Sequence, residues 1–303
     1  MSRNVQLLTR FVLGVAFVVL AAGSSAAIAQ TALTGEWRAS LDDKTDKIHL
    51  SFERRTEDGD HSQMGSSYRF DELQGLSREQ AQAGGPVRFS LVREAGRIDC
   101  EGSFQNGKGS GTFRFTASQS FVSAMKSRGF DFEKTSSTRD FDREPENRLF
   151  AATTLNVTTA LADDLLSAGF PNLDVEDLFK AAIFKIDSRF MREMKASGFP
   201  GLGMEELVKA RIFKIDPEFV RQVAQMGFDR EPFESLVKMR IFKVTPEFIN
   251  EARDEGLTNL SVEDLVKMRI FNIDREFIRR AKADGVPLEV EKLVQRRIGV
   301  RER

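Results

Sequence analysis

Residues 227–256 read GFDREPFESLVKMRIFKVTPEFINEARDEG and residues 256–285 read GLTNLSVEDLVKMRIFNIDREFIRRAKADG, one pattern written twice at a period of 29. Gly198-Phe199 and Gly169-Phe170 continue it backward at the same period, and Gly129-Phe130 does so after an 11-residue insertion. Eight residues before each glycine stands Phe121, Leu161, Phe190, Phe219, Phe248 or Phe277. A second apolar block lies between the glycines, beginning at Ile183, Ile212, Ile241 and Ile270, with degenerate copies at Thr154–Val157 and Arg297–Val300. A fixed period of this size marks stacked supersecondary units, with atypical units capping the ends.

Each unit reads as two short helices. Ser261 is placed to cap the first, with Asp264 three residues on as its capping-box partner. Val262, Leu265, Val266 and Ile270 then form one apolar face. The second helix starts at Asp216 or Thr245, followed by Pro217 or Pro246 at the first helical position, where a missing N–H costs nothing. Phe219, Val220 and Val223 supply its stripe, and Gly227 stops it in the left-handed conformation. Helices of about ten residues do not persist alone, so the units must stack and bury Phe, Ile and Leu between neighbours. The 26 Phe against a single Trp and a single Tyr form a packing palette, because binding hot spots favour Trp, Tyr and Arg.

The charges repeat as well. Glu205, Glu206, Glu234, Glu263 and Asp264 open the first helices, while Lys209, Arg211, Lys214, Lys238, Arg240, Lys243, Lys267 and Arg269 lie toward their ends. That polarity complements the helix dipole on a solvated face. It also reads as a stacked basic ladder able to grip an acidic partner, and these eight cations are the candidate partner-binding residues.

Upstream, the period changes to two. Trp37, Ala39 and Leu41 share one face, and the alternation recurs at 48–52, 87–91 and 113–115. Asn106-Gly107 is a tight hairpin signal. A small antiparallel β domain, a sandwich or half-barrel, is expected over residues 30–116. Trp37 is either an ordinary core residue or the base of a ligand pocket, as in small lipid-binding barrels. Gly102–Lys108 has the spacing of a phosphate loop, but Gly109 stands where Ser or Thr must hold magnesium.

The first 29 residues form a separate object. Arg3 and Arg10 precede the apolar run 11–22 and the small-residue stretch 23–29, the three parts of a secretory signal peptide with Gln30 as mature start. A run of 12 apolar residues is short of the roughly 20 that span a bilayer, so no stable membrane anchor is expected after cleavage. The mature chain is then extracytoplasmic, periplasmic or secreted.

Composition narrows the chemistry. With 303 residues, about two domains fit. A net charge of −1 argues against a nucleic-acid partner. Two His (His49, His61) and one Cys (Cys100) leave no zinc framework or disulfide, and only carboxylates for hydrolytic chemistry. Most Asp and Glu fall at helix caps and faces, so neither catalysis, a metal nor a cofactor is expected.

The repeat also resembles a tandem pattern of bacterial envelope proteins, found beside or within BlaR/MecR-type sensor metallopeptidases: G-F/Y, then L-S/T-x-E/D-D-L-I/V-x-x-R-I-H-G-V-T-P-E-F-I. Gly256–Ile273 and Val244–Ile249 are similar to it, and Gly109–Ala117 resembles the strand that introduces the array there. The family's frequent His is Phe213, Phe242 and Phe271 here, so a role depending on it does not carry over. Neither His-Glu-x-x-His nor a multi-span region is present. The resemblance therefore implies a stand-alone extracytoplasmic accessory module. The whole reading is an α+β multidomain chain, with a signal peptide (1–29), an antiparallel β domain (30–116) and an α-helical repeat domain of about six units (117–303). It is expected to bind a protein or peptide partner without enzymatic activity; the alternative is a small-ligand carrier built around Trp37.

Overall fold

The structure, a computed structural model, describes residues 33–42, 44–55, 61–134, 144–170 and 172–299. The expected signal segment and the last copy's Val300 lie outside them. The chain is α+β: a curled antiparallel sheet followed by a helical array.

The sheet comprises β1 (Leu33–Leu41), β2 (Lys47–Arg55), β3 (His61–Arg69), β4 (Leu73–Gln74), β5 (Gly85–Arg93), β6 (Gly96–Gln105) and β7 (Lys108–Ala117), with α1 (Arg78–Ala83) between β4 and β5. Its order is β3-β2-β1-β7-β6-β5-β4, so the first and last long strands meet at the centre. Register puts most of the large apolar side chains on one face: Trp37 pairs with Phe52, Ile98 with Phe115, Cys100 with Phe113 and Phe89 with Cys100. Asn106 and Gly107 both take positive φ in the β6–β7 turn, as expected there. Strands β6 and β7 approach unusually closely where Gly102 faces Gly111; a Cβ on Gly111 would sit 1.9 Å from the Glu101 carbonyl oxygen.

Besides the two-residue β4, two elements escape the alternation pattern. β3 contributes only Met64 and Tyr68 to the core and is otherwise polar, as an edge strand can be. The six-residue α1 is held by reciprocal capping of Ser77 and Gln80.

The array follows as two layers. One contains α2 (Gln119–Lys126), α4 (Thr159–Ser167), α6 (Ser188–Ala196), α8 (Pro217–Gln225), α10 (Pro246–Asp254) and α12 (Arg275–Ala283). The other contains α3 (Pro145–Leu155), α5 (Val175–Phe184), α7 (Met204–Ile212), α9 (Phe233–Ile241), α11 (Val262–Ile270) and α13 (Val290–Ile298). The caps are those expected: Ser261 Oγ accepts from the Asp264 N–H, Asp216 and Thr245 from those of Phe219 and Phe248, and Gly227 has φ +95°.

Sheet and array share a core. Phe150 of α3 enters the concave face, stacked on Phe113 (5.2 Å between centroids) and edge-on to Phe52 and Phe115. Glu94, in the β5–β6 turn, accepts hydrogen bonds from the Thr159 N–H and hydroxyl and so caps α4.

One expectation fails. Ile270 and its equivalents do not join the buried face: Ile183, Ile212, Ile241, Ile270 and Ile298 are 49–55% exposed. Met268 is buried in place of Ile270. At 3.6 residues per turn, Ile270 lies roughly 80° round the helix from Val262, on the side of Glu263 and Lys267.

Candidate functional site

The eight cations of the expected ladder divide into three kinds. Lys209, Lys238 and Lys267 each reach the first turn of the next helix in their layer. Lys209 Nζ lies 2.6 Å from Glu234, Lys238 Nζ 2.9 Å from Glu263, and Lys267 pairs with Glu291. Lys180 of α5 makes the same bridge to Glu205, at 2.7 Å. The carboxylate partners hold the ammonium groups of Lys209, Lys238 and Lys267 above the usual lysine range, and Lys238 lowers Glu263.

Arg211, Arg240 and Arg269 lie over the rings of Phe190, Phe219 and Phe248 at 3.6–3.8 Å, and Arg297 over Phe277 at 4.9 Å. Arg211 and Arg240 also donate to the carbonyls of Lys185 and Lys214. Partial burial lowers the pKa of Arg240 and Arg269, and an aromatic face suits a half-desolvated guanidinium. Two of the three kinds of cation therefore bind the units to each other.

Lys214 and Lys243 are the third kind. With Lys185 they follow their helices in the left-handed conformation, at φ 54–56°, exposed and with no ion pair among the described residues. Each stands two residues beyond an exposed isoleucine.

If the Lys–Glu bridges join units, Lys238→Glu lowers the melting temperature by setting Glu against Glu263, and a second change, Glu263→Lys, restores it. Thermal melting of the two variants checks this; salt should shrink both shifts.

One register recurs at the outer edge of the α3 layer, with its valines buried and its isoleucines exposed. Positions 205, 208, 209 and 212 of α7 are Glu, Val, Lys and Ile; α9 repeats them at 234, 237, 238 and 241, and α11 at 263, 266, 267 and 270. In α3 the register falls on Asn147, Phe150, Ala151 and Thr154. There the face is covered: Phe150 fills the sheet, and Tyr68 Oη donates to the Thr154 carbonyl. The same helical face thus holds the chain's own sheet in the first unit and is open at the isoleucines in later ones.

No match was found between this chain and models of known protein families, curated proteins or solved structures. The face must be read from its own geometry.

The other candidates have structural placements. Trp37 is fully enclosed, edge-on to Phe89 and donating Nε1–H to the Glu101 carbonyl at 3.1 Å. Cys100 is buried, and burial pushes its thiol pKa up, away from reactivity. His49 is exposed opposite the core face; the His61 side chain lies outside the described residues. Gly102–Lys108 is the end of β6 and its turn, without the helix a phosphate loop needs. Among the described residues no group of three or more His, Cys, Asp or Glu is placed to hold a metal, and no helix is long and apolar enough to cross a membrane. A cleft of about 730 Å³ opens among α5, α6 and α7, walled by Phe170, Met191, Phe199 and Met204.

Sequence reading missed the isoleucine row because an aliphatic residue beside a buried helical stripe was assigned to that stripe. The available signal was its neighbours: Ile212 sits one turn from Lys209 and two from Glu205, both charged.

Proposed function

We propose that this protein is an exported, non-enzymatic interaction module whose helical repeats hold a protein or peptide partner in the cell envelope. One observation carries the reading: the helix face that seats the sheet at α3 is repeated on α7, α9, α11 and α13 with exposed isoleucines. The Lys–Glu and Arg–Phe contacts support it, because they hold the units in register without using the isoleucines. Export rests on the three-part segment at 1–29, and the accessory role on the resemblance of the repeats. The carrier reading lacks support at Trp37, which is packed on all sides.

The test places a photoreactive amino acid at the exposed Lys243 or, as control, at the exposed Arg88 of the sheet, in cells exporting the full chain. A discrete cross-linked species from position 243 that is absent from position 88 is the expected result. Equal or absent cross-linking from both would overturn the reading.

A further inference from the structure

Resting on the interaction-module reading, we infer that the isoleucine row binds an extended acidic peptide with one apolar side chain in every three residues. Ile183, Ile212, Ile241, Ile270 and Ile298 stand at the ends of α5, α7, α9, α11 and α13, adjacent helices tied together by the Lys–Glu bridges. Side-by-side helices lie about 8–10 Å apart, so the row is a ladder of that pitch, roughly 32–40 Å long. A polyproline-II chain turns once in three residues and advances about 9.3 Å per turn, placing every third side chain on one line at the same pitch. Such a peptide sets one apolar side chain against each isoleucine without distorting either partner, and its backbone needs no partner for hydrogen bonding.

Charge selects the remaining positions. Lys185, Lys214 and Lys243 follow Ile183, Ile212 and Ile241 by two residues, while the next acids along the chain after Lys185 and Lys214, Asp187 and Asp216, already accept the N–H groups of Phe190 and Phe219 as helix caps. The Lys–Glu row on the other side is internally neutralised. An acidic residue between the apolar ones therefore meets lysines with no carboxylate of their own. The surface is also continuous with an established interface, since its first-unit counterpart on α3 already seats protein, the edge strand β3 included.

The test uses the exported full chain and fluorescence anisotropy with three labelled peptides. These are five repeats of Leu-Asp-Pro, the same composition with its leucines adjacent, and five repeats of Leu-Lys-Pro. The first is expected to bind at least tenfold more tightly than either control. Ile212→Ser, Ile241→Ser and Ile270→Ser together are expected to weaken it at least tenfold with the melting temperature unchanged, and Lys214→Glu with Lys243→Glu to weaken it too.

Equal affinity for the three peptides, or binding of none, overturns the inference. So does tight binding to phosphatidylglycerol vesicles or self-association in sedimentation, if the isoleucine changes abolish it, since either puts a different occupant on the row. Should the triple variant fail to fold, the three peptides on the unaltered chain still decide. A position-243 cross-link that survives failure of the peptide removes the peptide chemistry and spares the interaction module; loss of both removes both.

Discussion

Replacing Phe150 by alanine is expected to destabilise the protein by about 3–5 kcal/mol, the range for removing a fully buried aromatic side chain. Phe150 is 1% exposed and touches three rings contributed by two strands, so its loss leaves a cavity that the sheet cannot collapse around without moving β2 and β7. The effect should be uneven. The single Trp of the chain, Trp37, lies in the sheet, so its fluorescence reports the sheet while circular dichroism at 222 nm reports the array. In the native chain the two denaturant midpoints should coincide. In Phe150→Ala the fluorescence midpoint should fall well below the helical one, because the contact that makes the two parts melt together is gone. Coincident, unshifted midpoints would show that α3 does not join them.

Gly111→Ala should cost about 3 kcal/mol, at the upper end for overpacking. Its Cβ would stand 1.9 Å from the Glu101 oxygen and 2.6 Å from the Gly102 Cα, both backbone atoms that cannot rotate aside. Relief requires β6 and β7 to separate, which pulls the ladder apart where Trp37 packs against Gly102. A control at Gly129, where a Cβ meets nothing within 4 Å but φ is +93°, should cost much less, about 1 kcal/mol of backbone strain. Urea midpoints of the two variants measure the difference. Equal midpoints would mean that the strands are not as close as described.

Much of this architecture was legible in the chain. The glycine period defined the units, and Ser261, together with Asp216 and Thr245 and the proline after each of those two, marked helix starts whose caps are local and so readable from neighbours alone. Alternation found the strands that bury every second residue. It did not find β3, whose sequence HSQMGSSYR is polar because one flank of an edge strand has no partner to pack against. Nor did it find the insertion of α3 into the sheet. That contact joins residues up to 98 apart, Phe52 to Phe150, and no local pattern encodes it.

The candidate site was half legible for the same reason. Periodicity revealed that Lys209, Lys238 and Lys267 recur, but not that each faces an acid about one period later, which depends on how the helices stack. What read as a basic binding ladder is, at the lysines and arginines within the helices, a set of inter-unit contacts. The open surface lies beside it, at residues that hydrophobicity alone assigns to the core.

We propose a division of labour in which charged residues hold the units together and the isoleucines hold a partner. It is tested most directly by measuring thermal melting and position-243 cross-linking together in two triple variants of the full chain. With Arg211→Gln, Arg240→Gln and Arg269→Gln, the melting temperature should fall, as three ring-stacked guanidinium groups are lost. With Ile212→Ser, Ile241→Ser and Ile270→Ser, melting should be unchanged and the cross-link should disappear. An isoleucine variant that melts early yet cross-links normally would contradict the account, because the row would then belong to the core and the partner would bind elsewhere.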